Sequence, residues 1–567
     1  MSLKREQIRE RPYGAQAVSQ LAAGGMHPVL ARICAARGVD RPEQMEVDLA
    51  GLLHYGTLKG IDAAAMRLAE AVMRQQRVLV VADYDADGAT ACAVAVRGLG
   101  LFGLKADYWV PNRFIHGYGL TPEIVRIACE RQAELIVTVD NGIASIEGVQ
   151  AAHAAGIEVL VTDHHLPGAS LPDCLIVDPS QPGCAFPSKH LAGVGVMFYV
   201  LLATRRRLQL AGAFGTAAPP RLAALLDLVA LGTVADVVRL DDNNRILVAQ
   251  GLRRIREGRG CPGVRALFAA AGRNPATASA GDLGFSIGPR LNAAGRLDDM
   301  SLGIACLLSD DEAQAMSLAS QLQQLNQERR EIEDSMQQQA MAALPELEDA
   351  PGYSLVLFEP DWHAGVVGIL ASRLKERFHR PVICFARAGE GEIRGSGRSI
   401  AALHLRDALD RVANAHPGLI EKFGGHAAAA GLTLREARLT DFVAAFESAV
   451  RSMLVPEDLH PEILTDGSLQ PEEMAPELAQ AIHAQVWGQG FPMPQFVNSF
   501  RVLRQRVIRE RHLKLVLGCG DRQFDAILFQ CSDTLPERIE ALYQLDWNQY
   551  QDQANVQLLI RDWCRTQ

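Results

Sequence analysis

No two cysteines of the chain stand at C-x-x-C spacing, although eleven are scattered along its 567 residues. An odd, unpatterned count excludes a disulfide framework and a thiolate zinc site, and it predicts reduced, mostly buried thiols in a cytoplasmic protein. Long apolar runs are also missing. The longest, AGVGVMFYVLLAT, ends after 13 residues at RRR, too short to cross a bilayer. The opening MSLKREQIRERPYGAQ is charged and polar, so no signal peptide is expected. There is no low-complexity tract and no excess of positive charge, the formal net charge being −10. Alone, that balance weighs against nonspecific attraction to nucleic acid. Acids gathered at one site and bases at another would hide a basic surface from such a sum. A soluble globular protein with no membrane partner is expected, and its length calls for several domains rather than one core.

What is present begins with alternation. VLVVAD, LIVTVD, VLVTDHH and LIVDP are short apolar runs between Val78 and Asp178, separated by GATACAVAVRGLGL, PEIVRIACERQAE and SIEGVQAAHAAG, each of helix length. That order predicts a parallel sheet covered on both faces, with ligands beyond the carboxyl ends of its strands. Asp83, Asp140, Asp163 and Asp178 fall at those ends; Asp178, before Pro179, reads as a turn or helix cap. RLAALLDLVALGTVADVVR, residues 221–239, predicts an apolar helix and a tight turn at Gly232 that presents Asp236, an acid in surroundings where acids are usually paired or ligating. Leu318, Leu322, Leu325, Ile332 and Met336 recur at three- and four-residue steps with Arg329 in the gap, which predicts a long amphipathic connecting helix over 311–345. A second α/β unit follows, SLVLFEPDW, GVVGILASRLKERF and PVICFA, and then the glycine-rich EIRGSGRSI and EKFGGHAAAAGL. After Val455 the alternation of polar and apolar residues predicts a small β domain.

The chemistry centres on DYDADG, which sets Asp83, Asp85 and Asp87 at alternate positions. Two carboxylates ~4 Å apart repel by ~4 kcal/mol at an effective dielectric near 20, whereas a helix N-terminus returns only ~0.3–1 kcal/mol. Divalent cations answer the repulsion. A calcium loop of the EF-hand kind also opens D-x-D-x-D-G, but it needs a preceding helix and an acid at position twelve. Here a strand precedes and position twelve is Val94. Asp140 and the DHH sequence 163–165 add carboxylate and imidazole donors, a set that suits manganese or magnesium better than structural zinc. Two such ions sharing a carboxylate are the usual device for in-line displacement at phosphorus.

Strand-DYDADG, TVDNG, TDHH and GTVAD, in that order, resemble the four motifs of the DHH phosphoesterase superfamily, and GSGRS and FGGHAAAAG resemble its DHH-associated second domain. With PNRFIHGYGL, DLGFSIGPRLNAAGRLDDMS and the β-rich C-terminus, the resemblance covers essentially the whole chain and is to the superfamily's bacterial single-strand-specific exonucleases. It implies an α/β protein: an N-terminal segment (1–50), a parallel-sheet DHH domain (51–310), the connecting helix (311–345), a smaller α/β DHH-associated domain (346–455) and an oligonucleotide-binding (OB-like) β-barrel (456–567). It further implies 5′→3′ hydrolysis of single-stranded DNA to 5′-mononucleotides by a two-metal mechanism in recombination and repair. The cofactors would be two Mn2+ or Mg2+ per active site. The partners would be single-stranded DNA, a single-strand-binding protein and a helicase, with the enzyme acting as a monomer.

Carried onto this sequence, Asp85 and Asp87 resemble ligands of the first and second metal, Asp140 the bridging carboxylate, and His164 and Asp236 the rest of the second site. Asp83 resembles a ligand or support of the first metal, His165 a contact to the scissile phosphate, and Asp163 an orienter of the imidazoles. Some relatives carry histidine two residues before the first aspartate; here that position is Val81, which leaves the first site poorer in nitrogen. Ser396 and Arg398, with Arg394, offer a hydroxyl and guanidinium forks to a phosphate. Gly425 and His426 are expected to open an Ala-rich helix whose free N–H groups favour phosphate oxygens. Arg290, Asn292 and Arg296 are candidates for gripping the DNA. Arg504, Arg506 and Lys514, in a basic run from Arg501, would line the barrel's groove, while Phe500 and Phe524 read as core residues before stacking platforms. The alternatives are a DHH phosphatase or phosphodiesterase acting on pyrophosphate, short oligonucleotides or cyclic dinucleotides, which would not need the barrel, and a catalytically silent single-strand-binding scaffold, which would not need a full set of ligands.

Overall fold

The computed structural model describes residues 7–112, 118–343, 352–550 and 553–566; residues 113–117 of PNRFIHGYGL lie outside them. The chain forms two units, one holding residues 11–326 and 466–561, the other residues 327–465 with the N-terminal strand. No helix among the described residues is long and apolar enough to cross a membrane.

In the first unit the four apolar runs supply four of five parallel strands: β1 (Val78–Ala82), β2 (Asp107–Trp109), β3 (Leu135–Val139), β4 (Glu158–Thr162) and β5 (Leu175–Val177). Their order is β2-β1-β3-β4-β5, so the order reverses between β1 and β3, where doubly wound sheets leave a crevice. β2 has no counterpart among the apolar runs. It is a three-residue edge strand, Asp-Tyr-Trp, too short and too polar on one face to stand out. Leu79, Val81, Ile136, Val159 and Val161 pack with Ile124, Val125 and Val149 on one side of the sheet. The helices Ala86–Leu101 (α1), Gly193–Leu210 (α2) and Leu226–Ala235 (α3) pack against one another. Val81 is fully buried in that apolar layer, so the residue at the departing position serves the core.

Gly232 does not make a turn. It lies inside α3, where an added Cβ would come 2.1 Å from Thr90 Oγ1 and 2.8 Å from Asp87 Oδ1. The glycine is there for close approach of α3 to α1, and the helix runs on to Ala235, leaving Asp236 as its C-cap.

The C-terminal part of this unit is a closed barrel of β11 (Phe496–Ile508), β12 (His512–Cys519), β13 (Arg522–Phe529), β14 (Arg538–Tyr550) and β15 (Gln553–Arg565). Phe500 and Phe524 are buried in it. A buried ion pair, Arg37 to both oxygens of Asp466 at 2.6 and 3.0 Å, ties an N-terminal helix to the segment leading into the barrel.

The connecting helix spans Glu312–Ala343, 32 residues, or ~48 Å at 1.5 Å per residue. Arg329, the polar interruption of its apolar stripe, pairs with Glu333 at 2.5 Å, and Glu333 also takes Arg373 at 3.0 Å.

The second unit carries a mixed sheet, ordered β9-β10-β8-β7-β6, of β6 (Leu355–Phe358), β7 (Val382–Gly389), β8 (Glu392–Arg398), β9 (Lys422–Gly425) and β10 (Ala429–Arg435). The expected Ala-rich helix after Gly425 is a β-hairpin. Gly425 takes φ 144°, the His426 N–H donates to Ala429 O at 2.8 Å, and the alanines return as β10 alongside β8. Tertiary pairing overrides the helix propensity of alanine.

Candidate active site

DYDADG forms the turn from β1 into α1. Asp83 follows the strand, and Asp85 is the N-cap of α1, its Oδ1 accepting the Gly88 N–H at 3.0 Å. Asp87, in the first helical turn, is fully buried and accepts the Gly193 and Val194 N–H groups at 2.6 and 3.0 Å. Those groups open α2, so the buried carboxylate sits on a helix N-terminus. Nothing in the sequence beyond a glycine pair in an apolar run hinted at this partner.

Asp140 ends β3 with φ 63°, a left-handed position that Asp tolerates better than most residues. Beside it Asn141 donates to the carbonyls of Val81 and Val139 at 3.1 and 2.9 Å, joining the ends of β1 and β3. Sequence reasoning passed over Asn141; its place after a strand-end aspartate was the available signal. Asp163 accepts the N–H groups of Ile143 and His164 at 2.9 and 2.8 Å and the His165 Nδ1–H at 2.7 Å. Asp178 accepts the Ser180 N–H at 2.6 Å, a turn contact as its sequence suggests.

The strand ends bring seven sequence-predicted residues together. Asp87, His164 and Asp236 form one group and Asp83, Asp85 and Asp140 another, with ligand atoms within 4.8 Å of one another in each; Asp140, His164 and His165 make a third. Asp140 Oδ1 lies 3.0 Å from His164 Nε2, which is 3.5 Å from Asp236 Oδ2 and 4.0 Å from Asp87 Oδ2. These contacts are not ion pairs. Burial, then the charge of His165, pushes the His164 pKa down to about 4, so the ring is neutral, and its remaining nitrogen is engaged by the Leu191 backbone. Among the described residues neither Asp140 Oδ1 nor His164 Nε2 has a hydrogen-bond partner, though both are buried. Two lone pairs facing one another out of water cost several kcal/mol unless something positive lies between them. Burial and neighbouring carboxylates raise the pKa values of Asp83, Asp140 and Asp236, and that of Asp87 to about 7. His165 moves the other way from His164: burial opposes its charge, but the Asp163 contact outweighs burial and lifts it to about 9. The donor set of carboxylates and one neutral imidazole fits Mn2+ or Mg2+.

Glycine makes the cluster possible at a close approach. A Cβ on Gly193 would stand 2.5 Å from Asp140 Cβ and 2.6 Å from its Oδ1. Gly193→Ala is therefore expected to destabilise the fold by about 1–3 kcal/mol and to lower turnover by about a hundredfold, since displacements near 1 Å suffice for that. Gly195→Ala, whose Cβ would meet the Leu191 side chain, its Cδ2 nearest at 3.2 Å, should melt and turn over nearly as wild type does. Equal activity of the two variants would show that the packing of α2 on Asp140 is immaterial.

Other candidates are placed differently. Asn292 turns inward, its Oδ1 accepting the Ala86 N–H at 2.8 Å, and a Cβ on Gly295 would meet Tyr84 O at 1.9 Å. Arg290 is 6% exposed and donates to Ser286 O. This helix, Gly288–Leu297 (α4), supports the acidic turn, with Arg290 and Asn292 turned toward the protein and Arg296 half-buried. On β8, Gly395 and Gly397 leave room for Phe385 and Leu405, while Ser396 and Arg398 face the other way, joined at 3.1 Å. There Gly368 of the helix Val367–Phe378 approaches closely, an added Cβ standing 2.8 Å from Ser396 Oγ and 3.0 Å from Arg398 Nη2. Arg394 is exposed beside Glu392 at 3.5 Å. Gly425 and His426 belong to the hairpin turn and present no helix N-terminus. In the barrel Arg506 pairs in register with Lys514, and Arg504 with Val516. Like charges held opposite one another are unfavourable, and Lys514 has Asp525 at 3.6 Å as partial relief.

A strand-end carboxylate and imidazole cluster at the switch point of a doubly wound sheet, followed by a mixed-sheet unit and a closed barrel, defines a DHH-type phosphoesterase. Family models agree: residues 77–233 match the DHH family N-terminal domain, 352–452 the DHHA1 domain and 465–562 the RecJ OB domain. The single-stranded-DNA-specific exonuclease RecJ of Dickeya dadantii is 50% identical over 98% of both chains, and that of Escherichia coli K12 48% identical over 98% of this chain and 99% of its own. Crystal structures of Thermus thermophilus RecJ with Mn2+ and with Mg2+ superpose with TM-scores of 0.83 and 0.77, at 32% and 30% identity. They cover all of this chain and 80% and 79% of theirs. The chain belongs to the RecJ family of single-stranded-DNA-specific exonucleases.

Proposed function

We propose that this exonuclease removes 5′-mononucleotides successively from the 5′ end of single-stranded DNA, with two divalent cations at the strand-end cluster. The observation that carries the reading is the pair of buried, unpartnered ligand atoms, Asp140 Oδ1 and His164 Nε2, between two groups of acids. Asp83, Asp85 and Asp140 would hold one Mn2+ or Mg2+, and Asp87, His164 and Asp236 the other, with Asp140 reaching both. Such ions, when bound, supply Lewis acidity at phosphorus and activate water at neutral pH.

The chain's own residues do the rest. The Gly193 and Val194 N–H groups fix Asp87 in one orientation, and burial with the charge of His165 keeps the His164 ring neutral. Asp163 holds His165 protonated by its Nδ1 contact, which leaves the other ring nitrogen to donate to a phosphoryl oxygen as charge builds there. Ser396 and Arg398, beside the helix at Gly368, suit a phosphate of the strand's 5′ end. Arg504, Arg506 and Lys514 suit the backbone farther along. A role in recombination and repair, alongside a single-strand-binding protein and a helicase, belongs to the same reading.

Digestion of oligonucleotides labelled at one end or the other, with Mn2+ or with chelator, tests it. A 5′ label should appear at once as mononucleotide, a 3′ label should pass through a descending ladder, and neither should change under chelation. Early mononucleotide from the 3′ label, or digestion without metal, would overturn the assignment.

A further inference from the structure

Next to the carboxylate cluster two irregularities meet. Leu283–Ile287 is a π-helical turn in which Leu283, Ser286 and Ile287 are buried, while Phe285 between them is 83% exposed. Val237, 63% exposed, holds φ 60°, a left-handed conformation that a β-branched side chain rarely adopts. π turns and strained residues gather at functional sites.

The two adjoin through the helix that ends in Asp236. A Cβ on Gly284 would lie 3.2 Å from Val234 Cγ1, and one on Gly288 would lie 3.0 Å from the Cβ of Ala235. The π turn is thus packed on the last turn of α3, and Val237 follows Asp236 directly. The chain continues from the π turn into α4, where Pro289, Asn292 and Arg296 follow at three- and four-residue steps along one helical face. On that face Asn292 touches Ala86, between Asp85 and Asp87. Phe285 lies seven residues before Asn292 in the chain.

We propose that Phe285, on the turn packed against the last turn of α3, is a platform on which an unpaired base of the DNA strand stacks while the backbone runs to the carboxylates. An aromatic face exposed to water beside a phosphodiester site suits a nucleobase, because every base offers a π face and stacking asks for no particular sequence. The inference rests on the reading of the chain as a single-strand exonuclease and adds a source of strand selectivity. In a duplex, bases are stacked on both sides and none can lie flat on Phe285 without being pulled out.

The test uses the full chain as wild type, Phe285→Ala and Phe285→Trp, on oligothymidylates carrying one abasic position moved stepwise from the 5′ end. Binding is read by fluorescence anisotropy with chelator present, and KM and kcat are read with Mn2+. Phe285→Ala should raise Kd and KM about tenfold, the usual scale for one lost base–aromatic stack, with the loss falling on KM rather than kcat, and Phe285→Trp should restore both. In wild type one abasic position should produce the same loss, and Phe285→Ala should be indifferent to that position. An unchanged Kd in Phe285→Ala, a flat abasic scan in wild type, or a fall in oligomeric mass on removing Phe285 (a second copy of the chain as its cover) would overturn the platform. Failure of the underlying exonuclease reading would show instead as absence of Mn2+-dependent digestion by wild type.

Discussion

Replacing Asp140 with asparagine or alanine is expected to lower hydrolysis of single-stranded DNA by about a thousandfold or more, a change of ~4 kcal/mol in barrier height, with strand binding retained. Asp140 appears in two of the three ligand groups, one with Asp83 and Asp85 and one with His164 and His165, so on the proposed two-cation reading its loss would remove an oxygen that both sites share. The same change should not unfold the protein. In the absence of metal Asp140 is a buried acid pushed toward its neutral form first by burial and then by Asp87, Asp85, Asp236 and Asp83, and removing it relieves that repulsion. Asparagine is the cleaner variant, because position 140 has φ 63° and Asn tolerates that region, whereas alanine pays ~1–2 kcal/mol there. Melting in chelator should therefore leave Asp140→Asn at or above wild type, and the stabilisation by Mn2+ should shrink. Digestion at a rate comparable to wild type would end the case for Asp140 as the shared ligand.

Metal removal is the second large effect, and its sign depends on pH. Asp83, Asp87, Asp140 and Asp236 have raised pKa values when folded, as does Asp178, pushed up to about 8 by burial, and His165, lifted to about 9. Each binds protons more tightly folded than unfolded, so each contributes stability that is complete below its unfolded pKa and is lost as pH rises through the folded one. His164, lowered to about 4, contributes the opposite slope only below its ordinary value near 6.5. Above pH ~6.5 the raised groups therefore set the direction: the metal-free protein loses stability as pH rises. Cations compete with those same protons, so metal affinity climbs with pH. The shift in Tm produced by saturating Mn2+, worth ~2.7 kcal/mol at a hundred times Kd, should thus be larger at pH 8.5 than at pH 6.5. Thermal melts with Mn2+ and with chelator at both pH values check this; a shift that shrinks with pH would contradict it.

The catalytic strand ends were legible in the sequence because period and chemistry coincide there. A buried parallel strand reads as an unbroken apolar run, and an acid that ends such a run has few structural reasons to exist. Asp83, Asp140 and Asp163 stand out on that ground, Asp236 on its apolar helical surroundings, and the role of His164 comes from the resemblance. What could not be read is what depends on contacts between distant segments. Gly232 looked like a turn because glycine usually breaks a helix, but here it makes room for Thr90 and Asp87, 142 residues or more away in the chain. HAAAAG looked helical because alanine favours helices, but pairing with β8 decides the matter. That Asn292 holds the Ala86 N–H, 206 residues away in the chain, was equally hidden. The helix N-terminus that grips Asp87 lies inside an apolar run whose two glycines gave no sign of which carboxylate they would meet.

Anomalous diffraction from crystals soaked in Mn2+ tests most directly whether cations make this crowd of acids tolerable. Two manganese peaks about 3.5–4 Å apart should appear, one among Asp83, Asp85 and Asp140 and the other among Asp87, His164 and Asp236, with Asp140 touching both. A map without density at these strand ends, or manganese bound only elsewhere on the chain, would contradict the account.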